Sequence, residues 1–225
     1  MIVTIDGPAG AGKSSAARAL AERLGFRFLD TGALYRAVTY AAMSRGIDLA
    51  DQDGLAELAR ALKIQLSEHE VFLDGEDIGE LIRTSDVTLQ SRYAADNPLV
   101  RETLNLFQRN AVAGGNFVTE GRDQGTVVFP DAACKIFLTA SAEERAKRRL
   151  AEMTLRGELT SYEDVLAKQN ERDLRDTLRP CGPLIQAQDA IELSTDGMSP
   201  ADVVNHLEYL VRQKLSPKSS AGGDV

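Results

Sequence analysis

The sequence predicts an α/β fold with a central parallel sheet flanked by helices, and three observations predict it. A β-branched run, Ile2-Val3-Thr4-Ile5, passes through a glycine-rich turn into Ser15-Ala16-Ala17-Arg18-Ala19-Leu20, which reads as helix. Strand-like and helix-like segments then alternate along most of the 225 residues, the pattern of parallel strands joined by crossover helices. Finally, Gly7 to Ser14, Asp30-Thr31 and Gly121-Arg122-Asp123 each follow a predicted strand. They therefore meet at the carboxyl edge of the sheet, where ligands of such folds bind.

The first strand begins at residue 2, and Gly25 ends the helix that follows the turn. Phe26 to Leu29 reads as a second strand, closing at Asp30-Thr31-Gly32. Thr31 is placed to cap the next helix, Ala33 to about Arg45, whose Leu34, Val38 and Ala41/Ala42 form an apolar stripe. Asp51 to Leu62 is a further helix. From Lys63 the period changes: Ile64-Gln65-Leu66 and Val71-Phe72-Leu73, with an Asp74-Gly75 turn, read as a small antiparallel insert. Ser85 to Tyr93 and Asn97-Pro98 to about Ala113 are helical, and Gly114-Gly115 stops the second of them. Phe117 to Glu120 is a strand, Thr126 to Phe129 leads into a Pro130-Asp131 turn, and Lys135 to Leu138 is the next strand.

Ser141-x-x-Glu144 is a capping box for a helix through Arg145, Arg148 and Arg149, which Gly157 breaks. Ser161-x-x-Asp164 starts a polar helix that ends before Arg179-Pro180. Ile191 to Leu193 is the last strand, and Ser199 caps the terminal helix with Pro200 at its first position. The Ser/Gly/Lys/Pro-rich stretch from Ser216 is expected to be disordered.

Composition narrows the function. Hydrophobic and charged contents of 43% and 27% are those of a soluble globular protein. No apolar run reaches bilayer length, and no signal peptide precedes the first strand, so no membrane partner is expected. Cys134 and Cys181 are the two cysteines, and they read as reduced, in a cytoplasmic protein without a disulfide framework. A net charge of −8 disfavours a nucleic-acid surface. The basic residues are mostly arginine and gather between Arg145 and Arg179. Arginine binds phosphate bidentately, so this pattern points to small polyanions held in a pocket.

Gly7 to Ser14 satisfies G-x-x-x-x-G-K-[ST]. Such a loop turns successive backbone N–H groups inward and adds the positive end of the following helix. Lys13 would reach the β/γ-phosphates of ATP and Ser14 would ligate Mg²⁺. No asparagine begins the N-K-x-D segment of guanine-binding switches, and Glu120 stands alone where oligomeric ATPases carry paired acids. Transfer to a second phosphate needs charge neutralised on donor and acceptor at once, with water excluded. An arginine-bearing lid around Gly157, carrying Arg148, Arg149, Arg172, Arg175 and Arg179, serves both needs.

Several segments together resemble the bacterial cytidylate kinase family, in order and over nearly the whole chain. They are Ile5 to Ser14, Leu29 to Arg36, Gly121 to Ala132, Lys135 to Ser141 with Glu144-Arg145-x-x-Arg148-Arg149, and Glu171 to Arg179 with Pro183-Leu184. The resemblance implies a P-loop kinase with a central parallel sheet, a small inserted α+β acceptor-binding domain and a helical lid. It implies one domain over 1–215, with core 1–30, 114–147 and 185–215, acceptor-binding region 31–113 and lid about 148–180. The implied reaction is ATP + (d)CMP = ADP + (d)CDP, with Mg²⁺, in a monomer. Gly7, Pro8, Ala9, Gly10, Ala11, Gly12, Lys13, Ser14 and Ser15 would bind ATP, with Arg148 and Arg149 clamping it. Thr31, Arg36, Arg101, Arg122, Asp123, Arg172, Asp176 and Arg179 would bind CMP. Lys13, Arg122, Arg172 and Arg179 would be catalytic, and Ser14 with Glu120 would hold the metal.

Arg92 stands where the family carries a base-reading serine, with Ser91 one residue earlier, and Glu120 stands where Asp is usual. Arg92 leaves open a kinase for UMP or another small acceptor. The phosphate loop alone also allows a nucleotide-hydrolysing ATPase or regulator. His69 and His206 read as surface residues, Tyr35 as packing, and Cys181 as a bystander.

Overall fold

A computed structural model describes residues 1–67 and 70–215. The surface reading of His69 and the disorder expected from Ser216 lie outside the described residues. Five parallel strands form the central sheet in the order β2-β6-β1-β7-β8: β1 (Ile2–Asp6), β2 (Arg27–Asp30), β6 (Phe117–Gly121), β7 (Cys134–Thr139) and β8 (Ile191–Ser194). The connections carry α1 (Lys13–Leu24), α2 (Thr31–Ser44), α3 (Gln52–Ala61), α4 (Ser85–Asp96), α5 (Pro98–Ala111), α6 (Ala142–Leu155), α7 (Tyr162–Leu178) and the terminal α8 (Pro200–Leu215). A separate antiparallel sheet, β3-β4-β5 (Ile64–Leu66, Val71–Leu73, Glu76–Asp77), sits in the α3-to-α4 connection where the period changes.

Two main apolar cores follow from this layout. One packs Val3 and Ile5 of β1 and Ile136 and Leu138 of β7 against Leu20 of α1 and Leu207 of α8. The other gathers Leu34 and Val38 of α2 with Leu55, Ile64, Ile82, Val100 and Leu104, so the insert and helices α2 to α5 share one interior. Among the described residues, no helix is long and apolar enough to cross a membrane.

Most element ends follow local chemistry. Asn97 Oδ1 accepts from the N–H groups of Leu99 and Val100 at 2.9 and 3.2 Å, and Pro98 opens α5. Ser161 and Ser199 cap α7 and α8 through the N–H groups of Asp164 and Asp202. Two expectations change. Asp30, not Thr31, caps α2, accepting from Ala33 N at 2.9 Å. Thr31 is instead the first helical residue, and its hydroxyl donates to the Glu120 carbonyl of β6. The capping box at α6 is half formed: Ser141 Oγ accepts from Glu144 N, whereas Ser141 N donates to Asp196 rather than to Glu144. Beyond β6 the chain makes a π-helical turn, Gln124–Val128, where the sequence reading assigned only a lead into a turn.

Candidate active site

The phosphate loop folds tightly against the sheet. Gly7 has φ +151°, and a Cβ there would collide with the Leu138 carbonyl of β7, so the loop entry admits only glycine. Lys13, the first residue of α1, is buried, and its Nζ donates to the Pro8 carbonyl at 2.7 Å across its own loop. Burial, then the charge of Arg122, pull its pKa down to about 7. Ser14 Oγ donates to Glu120 Oε1 at 2.9 Å, and Thr31 Oγ1 donates to the Glu120 carbonyl at 2.6 Å. The buried end of β6 thus ties together the first turns of α1 and α2. The paired Ser14 and Glu120 oxygens fit a hard divalent cation that takes its remaining ligands from phosphate and water. Among the described residues no group of three or more His, Cys, Asp or Glu completes a cage without them.

Facing this loop is a network of arginines and carboxylates. Arg122 Nε donates to Asp176 Oδ2 at 2.8 Å, joining the β6 loop to α7. Arg36 pairs with Asp30 at 3.3 Å, and its Nε is buried without a hydrogen-bond partner among the described residues. Arg101 of α5 forms a short, buried ion pair with Asp123. The other carboxylate oxygen of Asp123 lies 3.8 Å from Arg179, and Tyr35 offers its ring to Arg101 at 5.4 Å. Gly182, at φ +58°, leans over this pair so closely that a Cβ would strike both Arg101 and Asp123. Arg179 Nε donates to the Gly182 carbonyl, which fixes that cover.

Arg172 differs from its neighbours. It is exposed over part of its surface and makes no ion pair within 4 Å among the described residues. Desolvation of its guanidinium, then the like charge of Arg122, lowers its pKa to about 10. The site therefore holds cations in excess of its carboxylates, as a pocket for polyanions must.

Asp176 gives a testable sign. Burial alone would raise its carboxyl, but Arg122 and Arg172 overcome this and hold it below its ordinary 3.8. The stabilisation is therefore fully present above pH 3.8 and is lost as pH falls through the depressed folded value. Acid-unfolding curves of wild type and Asp176→Asn are expected to differ above pH 3.8 and to converge below it. A gap that widens in acid would contradict the pairing.

The lid arginines separate. Arg148 donates to Glu144 at 3.0 Å and to the hydroxyl and carbonyl of Thr195 at 2.9 and 2.8 Å, and Arg149 pairs with Glu152 at 3.1 Å. Arg145, absent from the candidate set, is the one that meets the phosphate loop. It is buried, with Nη1 donating to the Ala9 carbonyl at 2.9 Å and to Asp173 of α7 at 2.5 Å, and Nε donating to the Ala140 carbonyl at 3.0 Å. Its only sequence signal was its place in the Glu144-Arg145 pair of the family-like segment. Asp6 was also missed. Burial pushes this carboxyl up to about 6, against hydrogen bonds from Gly125 and Gln124. Its signal was a lone acid closing an apolar strand just before the loop. Arg92 stacks over Tyr93 at 5.0 Å, and Ser91 Oγ donates to the Thr88 carbonyl. Cys181 Sγ lies 3.4 Å from the Asp96 carbonyl beside the Arg101 cluster.

Comparison with known proteins decides the family. The cytidylate kinase family model matches residues 3–213. The chain belongs to the cytidylate kinase family. It is 53% identical over 227 residues to a cytidylate kinase of Rhodopirellula baltica, covering 100% of this chain and 99% of that protein. It is 48% identical to one from Pelotomaculum thermopropionicum, over 90% and 92% of the two chains, and 46% identical to one from Mycobacterium avium, over 95% and 96%. Among solved structures it is similar to TT1252 from Thermus thermophilus, with TM-score 0.51, 18% identity and coverage of 96% and 98%. A shikimate kinase from Bacteroides thetaiotaomicron has TM-score 0.50 and 14% identity over 94% and 98%. At those identities the structures speak for the shared fold alone.

Proposed function

We propose that this chain transfers the γ-phosphoryl group of ATP to CMP and dCMP, yielding ADP with CDP or dCDP. The observation that carries this reading is geometric. Glu120, at the end of β6, takes a hydrogen bond from Ser14 of the phosphate loop on its carboxylate and one from Thr31 of α2 on its carbonyl, and Arg122 follows on the same loop. Phosphate loop and arginine network thus form one site, as in-line transfer between two phosphates requires. Membership of the cytidylate kinase family supports the choice of acceptor.

In this reading the loop from Gly7 to Ser15 cradles the ATP phosphates, and Arg148 and Arg149 swing in from a lid of α6 and α7. Arg36 and Arg122 hold the acceptor phosphate, with Thr31 nearby. Arg101 and Asp123 read cytosine, because a carboxylate suits its N4 amino group and a guanidinium its O2/N3 acceptors. Arg172, Asp176 and Arg179 meet the ribose and the transferring group. Ser14 and, through water, Glu120 would hold Mg²⁺, which when bound draws charge off the β- and γ-phosphate oxygens. The acceptor phosphate is already a nucleophile, so no side chain must act as a strong base; positioning and charge stabilisation set the rate. We further propose a monomer, as the family resemblance implies, in a reducing cytoplasm that suits its two free cysteines.

A coupled ADP-release assay across CMP, dCMP, UMP, AMP, GMP and shikimate tests the reading. Turnover is expected with CMP and dCMP. Equal ADP release without an acceptor would establish the hydrolase alternative, and a preference for UMP would give Arg92 the deciding role. Arg101→Met is expected to raise the CMP KM roughly tenfold or more, as loss of a charged hydrogen bond does, with the ATP KM unchanged. An unaltered CMP KM would remove Arg101 from the site.

A further inference from the structure

Arg122 and Asp123 stand on the acceptor side, yet β6 ends at Gly121 and does not itself fix them. They lead directly into the π-helical turn Gln124–Val128. Such turns are rare and gather at functional sites, so the contacts that hold this one bear on the site. Both oxygens of Asp6 cap its open start, accepting from Gln124 N at 2.9 Å and Gly125 N at 2.7 Å. In its middle, Gln124 Nε2 donates to Gln108 Oε1 at 3.1 Å between two buried side chains. At its end, Arg109 donates from Nε to the Val128 carbonyl and from Nη2 to the Val127 carbonyl, each at 2.9 Å.

Among the described residues, the side chains that hydrogen-bond the turn come from two places. Asp6 ends β1 and directly precedes Gly7 of the phosphate loop. Gln108 and Arg109 lie on α5, the helix that carries Arg101. The turn is thus a splint between the donor loop and the acceptor helix, with Arg122 and Asp123 at its leading edge. We propose that Asp6 is a positioning residue for the acceptor nucleotide: it acts through the turn to fix Arg122 and Asp123, and Arg109 steadies the same turn from its far end. This rests on the phosphoryl-transfer reading above. Only a carboxylate fits the place, because two backbone N–H groups converge on it. An asparagine would set its own NH₂ against one of them.

Adjacency to Gly7 gives a competing role, service to the donor loop, and the two separate by ligand. Calorimetric titration of the full chain with CMP, and separately with ADP as donor-site probe, is the experiment. For Asp6→Asn we expect CMP binding to weaken about tenfold or more, with ADP binding within roughly twofold of wild type. Under steady state the loss should appear in the CMP KM, with the ATP KM held. Weakened ADP binding with CMP retained would overturn the proposal in favour of the donor loop. Equal losses of both, or a lowered Tm with both affinities kept, would make Asp6 merely structural.

The second variant is Arg109→Met, at an exposed position. It should weaken CMP roughly threefold and leave ADP alone; unchanged CMP binding there also overturns the proposal. A wild-type chain that binds ADP but no nucleoside monophosphate would instead sink the phosphoryl-transfer reading.

Discussion

Lys13→Ala is expected to lower kcat for CMP phosphorylation roughly 10³-fold or more, the scale for losing a charged group aimed at a transferring phosphoryl. The fold should survive the change. Lys13 is buried, and among the described residues its side chain makes one hydrogen bond, to its own loop at Pro8. Burial and then Arg122 already disfavour its charged form, with Arg172 adding to the repulsion. A cation held where the protein disfavours it is waiting for an anion, so its removal should leave Tm unchanged or slightly raised. Lys13→Arg should not restore the rate, because a planar guanidinium does not fit a place shaped for a point charge at a helix start. Coupled ADP release at saturating ATP and CMP, alongside thermal unfolding, measures both. A rate within tenfold of wild type would remove Lys13 from the chemistry.

What the sequence made legible, and what it hid, follows from the range of the interactions involved. The phosphate loop was readable because its glycines serve the local backbone and the flanking strand and helix announce themselves within a few residues. The helix starts at Asn97-Pro98, Ser161 and Ser199 were readable for the same reason. At Asp30-Thr31 two adjacent side chains can each cap a helix. The choice fell to Asp30 because the Thr31 hydroxyl is taken by the Glu120 carbonyl on a neighbouring strand, 89 positions away. The π turn had no local signature either; its supports, Asp6 and Gln108, are 118 and 16 positions from Gln124.

The arginines of α6 show the limit most clearly. Residues three apart on a helix differ by about 60° in direction, so spacing could not tell Arg145 from Arg148. What separates them is tertiary: the Ala9 carbonyl waits for one and Thr195 for the other. The family resemblance supplied the acceptor-side set at Arg36, Arg101, Arg122, Asp123, Arg172, Asp176 and Arg179 as a list. The structure adds how they are wired, with Asp123 shared by Arg101 and Arg179 and with Asp176 tied to Arg122.

That wiring leaves Arg172 as the exception, and Arg172→Met is expected to separate activity from stability. Asp176 is engaged by Arg122 and Asp173 by Arg145, so the nearby carboxylates already have arginine partners. Arg172 stays near them and near Arg122, and desolvation of its guanidinium, followed by that like charge, depresses its pKa to about 10. A base whose folded pKa lies below its ordinary value weakens the fold while charged, across the whole pH range where it is protonated in the unfolded chain. Substitution by an apolar side chain of similar reach removes that repulsion, so Tm should stay level or rise. The rate should move the other way. An arginine that makes no ion pair within 4 Å among the described residues, beside Arg122, is placed to meet charge on the transferring group. Such arginines are worth roughly 10³-fold or more in kcat. Loss confined to kcat, with both KM values near wild type, would mean that Arg172 acts in the transition state, whereas a rise in CMP KM alone would assign it to acceptor binding. A variant that is both less stable and fully active would show that Arg172 supports the fold through contacts of its aliphatic stem, and would end its candidacy as a catalytic residue.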